Sequence, residues 1–117
     1  MAYGVGKAGC DRMAADCALE LRKSGVAMLS LWPGPVKTEK MAEIDSDSEI
    51  GKIFEKGETV EYAGKALVHL AADKNIMART GKIINTSDIG REFGFVDITG
   101  ESPIDFRFSA DLENCKH

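Results

Sequence analysis

The sequence predicts an α/β fold, the C-terminal part of a doubly wound parallel sheet, present incompletely. Three observations predict it. Residues 3–23 form a proline-free stretch that is rich in helix formers from Cys10 onward. A near-continuous apolar run, Val26-Ala27-Met28-Leu29-Ser30-Leu31-Trp32, follows it between Gly25 and Pro33. A second helical segment and a short apolar strand then follow in that order. Parallel strands joined through a helix make a βαβ unit. Two strands alone leave faces and edges of a parallel sheet without cover. The order therefore reads as the end of an α/β domain whose beginning is absent.

The first helix carries two apolar stripes at helical spacing. Cys10, Met13, Cys17 and Leu21 form one, and Ala8, Ala15, Ala18 and Leu19 the other. Arg22 and Lys23 suit the negative end of the helix dipole, and Gly25 stops the helix. Gly4, Gly6 and Gly9 are poor helix residues, so the sequence predicts close approach of that end to something else. The run at 26–32, without polar alternation, predicts a strand buried on both faces. Pro33-Gly34-Pro35 ends it.

Residues 37–57 read as an acidic excursion containing a weak helix around Ile50, Ile53 and Phe54. Thr59 is positioned to cap a helix over residues 60–72, whose expected buried stripe is Ala63, Ala66, Leu67, Leu70 and Ala71. Asp73-Lys74-Asn75 breaks it, and Lys82-Ile83-Ile84-Asn85-Thr86 forms the second strand. The rest reads as turns and tail.

With 117 residues the chain holds one small domain or a piece of a larger one. A net charge of −4 argues against nucleic acid, which calls for a basic excess. No apolar run approaches the ~18 residues of a membrane span, and the first residues do not read as a secretory signal. Cys10, Cys17 and Cys115 form no disulfide framework, and they read as reduced thiols in an intracellular setting. Two histidines and these cysteines give no metal-ligand pattern.

Two features carry chemistry. Tyr3 and Lys7 are four apart and share a helix face. A phenol, with an ordinary pKa near ~10, exchanges protons poorly at neutral pH, and an ammonium beside it favours the phenolate. By itself such a pair is most often two exposed residues. The second feature is Pro33-Gly34-Pro35-Val36-Lys37-Thr38 at the end of an apolar strand. Ligands of open α/β sheets bind beyond the carboxyl ends of strands. A plain strand-ending turn explains this segment equally well when it is seen alone. Gly4-Val5-Gly6-Lys7-Ala8-Gly9 matches G-x-G-x-x-G, but no strand precedes it, so it is not read as a dinucleotide fingerprint.

In combination, the Tyr3-x-x-x-Lys7 helix, the Pro33-Gly34-x-Val36-x-Thr38 turn, the Gly64-Lys65-Ala66-Leu67 helix and the Thr80-Gly81-Lys82-Ile83-Ile84 strand resemble the C-terminal half of a short-chain dehydrogenase/reductase. The resemblance implies a Rossmann-like domain part over residues 1–100, with a substrate lid at 39–57 and a tail at 101–117. It implies NAD(P)-dependent reduction of a small carbonyl substrate or oxidation of an alcohol, with NADP or NAD as cofactor. Tyr3 would be the acid/base at the substrate oxygen. Lys7 would hold the nicotinamide ribose and support Tyr3. Pro33, Gly34 and Val36 would line the nicotinamide, and Thr38 would bond near its carboxamide or the diphosphate. The 3–23 helix would join two copies in a homo-oligomer, and the setting would be cytoplasmic or associated with the endoplasmic reticulum.

The family's glycine-rich turn, catalytic serine and relay asparagine all lie upstream of its tyrosine and are not matched here. The resemblance therefore implies little or no activity for the isolated chain. Two other readings stand beside it: a non-catalytic fragment that keeps a dimerising helix, and an unrelated small α/β binding module.

Overall fold

A computed structural model of the protein describes residues 2–43, 45 and 47–105. The described helices are α1 (Ala2–Leu21), α2 (Glu49–Glu55), α3 (Tyr62–Ala71) and α4 (Thr86–Phe93). The described strands are β1 (Ser30–Trp32) and β2 (Ile83–Asn85), which pair in parallel as a two-stranded sheet. Among the described residues the chain forms two compact units, one from residues 2–32 and 70–84, the other from residues 33–69 and 85–105.

In the first unit, α1 runs without interruption and ends as its sequence predicts. A short 3-10 turn, Arg22–Ser24, follows it, and Gly25 takes the left-handed conformation at φ 68°. A residue with a Cβ is strained there. The buried face keeps Ala15 and Ala18 of the second expected stripe but not its Ala8 and Leu19, and it is centred on Ala14, which neither stripe contained. Ala14 and Ala18 are buried, flanked by half-buried Asp11, Ala15 and Leu21, while Cys10, Met13 and Leu19 are exposed. The reason is close packing on Gly81, where an added Cβ would lie 3.3 Å from that of Ala18. Only small side chains fit such a contact, so the alanines take it and the larger residues turn outward. Gly4, Gly6 and Gly9 make no close approach: an added Cβ on any of them meets nothing within 4 Å.

The strand β1 is shorter than the apolar run that contains it. Residues 26–29 lie outside the strand, although Met28 is still paired. The Met28 N–H donates to Thr80 Oγ1 at 2.9 Å, and its carbonyl accepts the Gly81 N–H at 2.6 Å. The Ser30 N–H then donates to the Lys82 carbonyl at 3.0 Å. With one neighbouring strand among the described residues, Leu31 is half-buried and Trp32 exposed, not buried on both faces. Asp11 ties α1 to β1 by accepting from Ser30 Oγ at 2.6 Å and from the Trp32 indole N–H at 2.8 Å. Asp73 ends the α3 segment as expected. Its carboxylate accepts from the Asn75 N–H and from Arg79 Nε, both at 2.9 Å.

In the second unit, α2 realises the expected weak helix. Ser48 caps it by accepting the Gly51 N–H at 3.0 Å. The helix α3 starts at Tyr62, two residues later than expected, and Thr59 does not cap it with its side chain. The Thr59 hydroxyl and N–H both donate to the Asp97 carboxylate. The buried positions of α3 are Tyr62, Ala66 and Leu70, whereas Leu67 is 59% exposed. The stripe is rotated because the Tyr62 ring packs on Phe95, with ring centroids 5.3 Å apart. Helix α4 occupies a segment that reads as turns in the sequence. It buries Thr86, Ile89 and Gly90 and ends at Gly94 in the left-handed conformation, φ 73°. His69 stacks on Phe95 at 4.5 Å. Residues 106–117, with Cys115 and most of the expected tail, lie outside the described residues.

Asp97 gives a pH prediction. Burial works to raise its pKa, but the bonds from the Thr59 hydroxyl, the Thr59 N–H and the Ile98 N–H hold it below the ordinary aspartate value. Its contribution is therefore present above the unfolded-state pKa of about 4 and lost as pH falls through the depressed folded value. Asp97→Asn is expected to lower stability at neutral pH by about 1–3 kcal/mol, since the amide cannot accept all three bonds. The variant should also show a flatter acid limb in urea titrations repeated across pH.

Candidate functional site

Tyr3 and Lys7 stand in the first two turns of α1 and are brought together as the four-residue spacing requires. The Lys7 ammonium lies 5.5 Å from the centre of the Tyr3 ring. That is within the range in which a cation is attracted to an aromatic face. Tyr3 is 79% exposed, so its hydroxyl is open to an incoming molecule. One further turn along, the same face carries Asp11. Because Asp11 is bonded to Ser30 and Trp32, it fixes the rotation of the helix about its axis, and with it the direction of the Tyr3–Lys7 face.

The Pro33–Thr38 segment belongs to the second unit. Pro33 is exposed, and Gly34, Pro35 and Val36 are half-buried. Val36 forms an isolated parallel bridge with Glu58: the Glu58 N–H donates to the Pro35 carbonyl and the Lys37 N–H donates to the Glu58 carbonyl, both at 2.9 Å. Thr38 is exposed, and its carbonyl accepts the Met41 N–H at 3.0 Å, turning the chain toward α2. The segment is thus held from one side by residues 57 and 58 while much of it stays accessible.

Glu58 is the least expected member of this arrangement. It is 1% exposed, and its Oε2 accepts the Gly34 N–H at 3.1 Å and the Thr86 hydroxyl at 2.8 Å. Its Oε1 is buried and has no hydrogen-bond partner among the described residues. Burial pushes the carboxyl above the ordinary glutamate range. The Thr86 and Gly34 bonds pull it down in part, and the Asp97 charge adds to the rise. Nothing in the sequence singles Glu58 out. Its partners lie 24 and 28 residues away, and only the folded chain joins them. Asp11 was equally silent, since an acid on an exposed-looking helix turn carries no signal of a strand partner.

The Tyr3–Lys7 helix and the Pro33–Gly34 turn at the exit of β1 are two of the features on which the sequence resembles one enzyme family. The chain is related to the short-chain dehydrogenase/reductase (SDR) family. It is 42% identical over 113 residues to human "Dehydrogenase/reductase SDR family member 1" and 44% identical over 113 residues to the mouse protein of the same name. Each match covers 89% of this chain and 36% of the relative. The chain thus spans about a third of the length of these curated relatives. No protein-family model matches it. Among the described residues no helix is long and apolar enough to cross a membrane.

Proposed function

We propose that this chain supplies the acid/base pair and the nicotinamide-facing turn of an NAD(P)-dependent oxidoreductase acting on small carbonyl or alcohol substrates. The observation that carries the reading is the Lys7 ammonium set beside the exposed Tyr3 ring on a helix whose rotation Asp11 fixes. The kinship with relatives named as dehydrogenase/reductases supports it. In this reading the two-stranded sheet is part of a larger Rossmann-like, doubly wound sheet.

The residues present suit such a cofactor: a phenol and an ammonium side by side, and a turn whose backbone is braced from one side. NADP or NAD, when bound, supplies or accepts the hydride. In the reducing direction Tyr3 gives its hydroxyl proton to the substrate carbonyl oxygen, and in the oxidising direction it takes that proton back. Lys7, one turn along from Tyr3, holds the ribose hydroxyls. Pro33, Gly34 and Val36 form the wall against the nicotinamide, Thr38 bonds beside it, and residues 39–57 close over the substrate. The face of α1 bearing exposed Val5, Met13 and Leu19 is where a second copy docks.

The test is a chimera in which this chain replaces the matching 113-residue stretch of the human relative. Reduced-nicotinamide consumption is followed over a panel of aldehydes, ketones and quinones. Turnover that exceeds the same chimera carrying Lys7→Met by at least about a hundredfold supports the reading. Equal rates with and without the lysine overturn it.

A second reading, a non-catalytic dimerisation module, is favoured by the same exposed apolar residues on α1. It expects the 117-residue chain to be a dimer by light scattering and to leave reduced nicotinamide fluorescence unchanged.

A further inference from the structure

We propose that Glu58 is the positioning residue of the Pro33–Val36 turn, pinning the one backbone donor between its two prolines and thereby setting the orientation of the Pro33–Gly34 peptide. This deepens the reading of the turn as the nicotinamide wall and rests on that reading for its functional meaning.

The argument starts from the two prolines. Neither Pro33 nor Pro35 has an N–H, and each fixes its own φ near −65°. Between them, the Gly34 N–H is the single backbone donor, and Gly34 is the single residue whose φ no ring fixes. Left alone, such a segment keeps that freedom. Glu58 removes it: Oε2 accepts that N–H at 3.1 Å, while the Glu58 backbone holds Pro35 and Lys37 at 2.9 Å on either side of Val36. One residue therefore makes three hydrogen bonds to a four-residue stretch. The peptides of the described residues are all trans. In a trans peptide the C=O and N–H point in opposite directions. With the Gly34 N–H turned toward Glu58, the Pro33 carbonyl faces away from it.

A packing role alone does not account for an acid here. A carboxyl that is 1% exposed, with one oxygen unpartnered, carries a desolvation cost that an apolar side chain of similar length would not. What the apolar side chain cannot do is accept from Gly34. Thr86, fully buried at the start of α4, donates to the same oxygen and holds the carboxyl in place from the other side. Two other titratable groups act on this site, the Asp97 carboxylate and the Tyr62 phenol on α3.

The experiment uses the 117-residue chain labelled with ¹⁵N, without cofactor, and reads the Gly34 amide. Glu58→Met removes the acceptor and keeps the length. It should shift the Gly34 resonance and speed its hydrogen exchange at least about tenfold. Glu58→Gln keeps an acceptor and should restore slow exchange. Thr86→Val, which removes the second hold on the carboxyl but keeps the acceptor, should speed Gly34 exchange less than Glu58→Met does. In the unsubstituted chain the Gly34 resonance should titrate with the same midpoint as the Glu58 carboxyl carbon. That titration should vanish in Glu58→Gln and persist in Asp97→Asn. An unmoved Gly34 amide in Glu58→Met, or no rescue by Glu58→Gln, overturns the proposal. Should Glu58→Met not fold, the titration and the Glu58→Gln and Thr86→Val arms decide alone. The same variants in the chimera separate the two readings. A mobile Gly34 amide with unchanged affinity for reduced nicotinamide keeps the clamp and rejects the turn as a cofactor wall.

Discussion

Tyr3→Phe, placed in the chimera with the human relative, is expected to cut kcat/KM for carbonyl reduction by about 10²–10⁴, the usual contribution of a positioned general acid. The substitution removes one oxygen and leaves the ring. The Lys7 contact at 5.5 Å from the ring centre survives, as does the Asp11 link to β1. Folding and cofactor affinity should therefore hold, and the loss should fall on kcat. A loss seen only in KM would place Tyr3 in binding and not in proton transfer. Unchanged kinetics would remove Tyr3 from the chemistry altogether.

A large effect on folding is expected at Gly57. A Cβ built there would fall inside the van der Waals surface of the Pro35 carbonyl oxygen and 3.1 Å from the Phe54 carbonyl oxygen. Both are backbone atoms, so no side chain can swing aside. Gly57→Ala should cost roughly 1–3 kcal/mol, as overpacking of a tight site does. It should also loosen the bond between the Glu58 N–H and the Pro35 carbonyl. Gly34→Ala is the contrast. Its added Cβ meets nothing closer than Glu58 Oε2 at 3.6 Å and the Ile104 carbonyl oxygen at 3.8 Å, both ordinary contacts. That variant should unfold near the urea midpoint of the parent, or slightly above it, because alanine restricts the unfolded chain. Equal midpoints for the two variants would mean that residues 35 and 57 are not packed as described.

How much of this was legible follows from the range of each interaction. The end of α1 was legible because its stop is local: cations in the last turn, then Gly25. So were the weak helix α2, from the spacing of Ile50, Ile53 and Phe54, though not its Ser48 cap, and the break at Asp73. The Tyr3–Lys7 pair needed only helical spacing. What the sequence did not disclose depended on partners far along the chain. Small residues at 63, 66 and 71 left the buried stripe of α3 ambiguous, and Phe95 and Gly90 decided it by receiving Tyr62. Helix α4 was hidden by its polar start and by Gly90, a poor helix residue kept because the Tyr62 hydroxyl presses on it. The Glu58 carboxyl could not be placed at all without the fold that brings Gly34 and Thr86 to it.

The bond from the Trp32 indole to Asp11 has a practical consequence. Trp32 is the chain's sole tryptophan, so any indole emission from the protein comes from one place, with a carboxylate beside its nitrogen. Excited at the red edge of its absorption, it is an optical gauge already wired to the helix that bears Tyr3. Its emission reports, without any attached dye, when that helix parts from its strand.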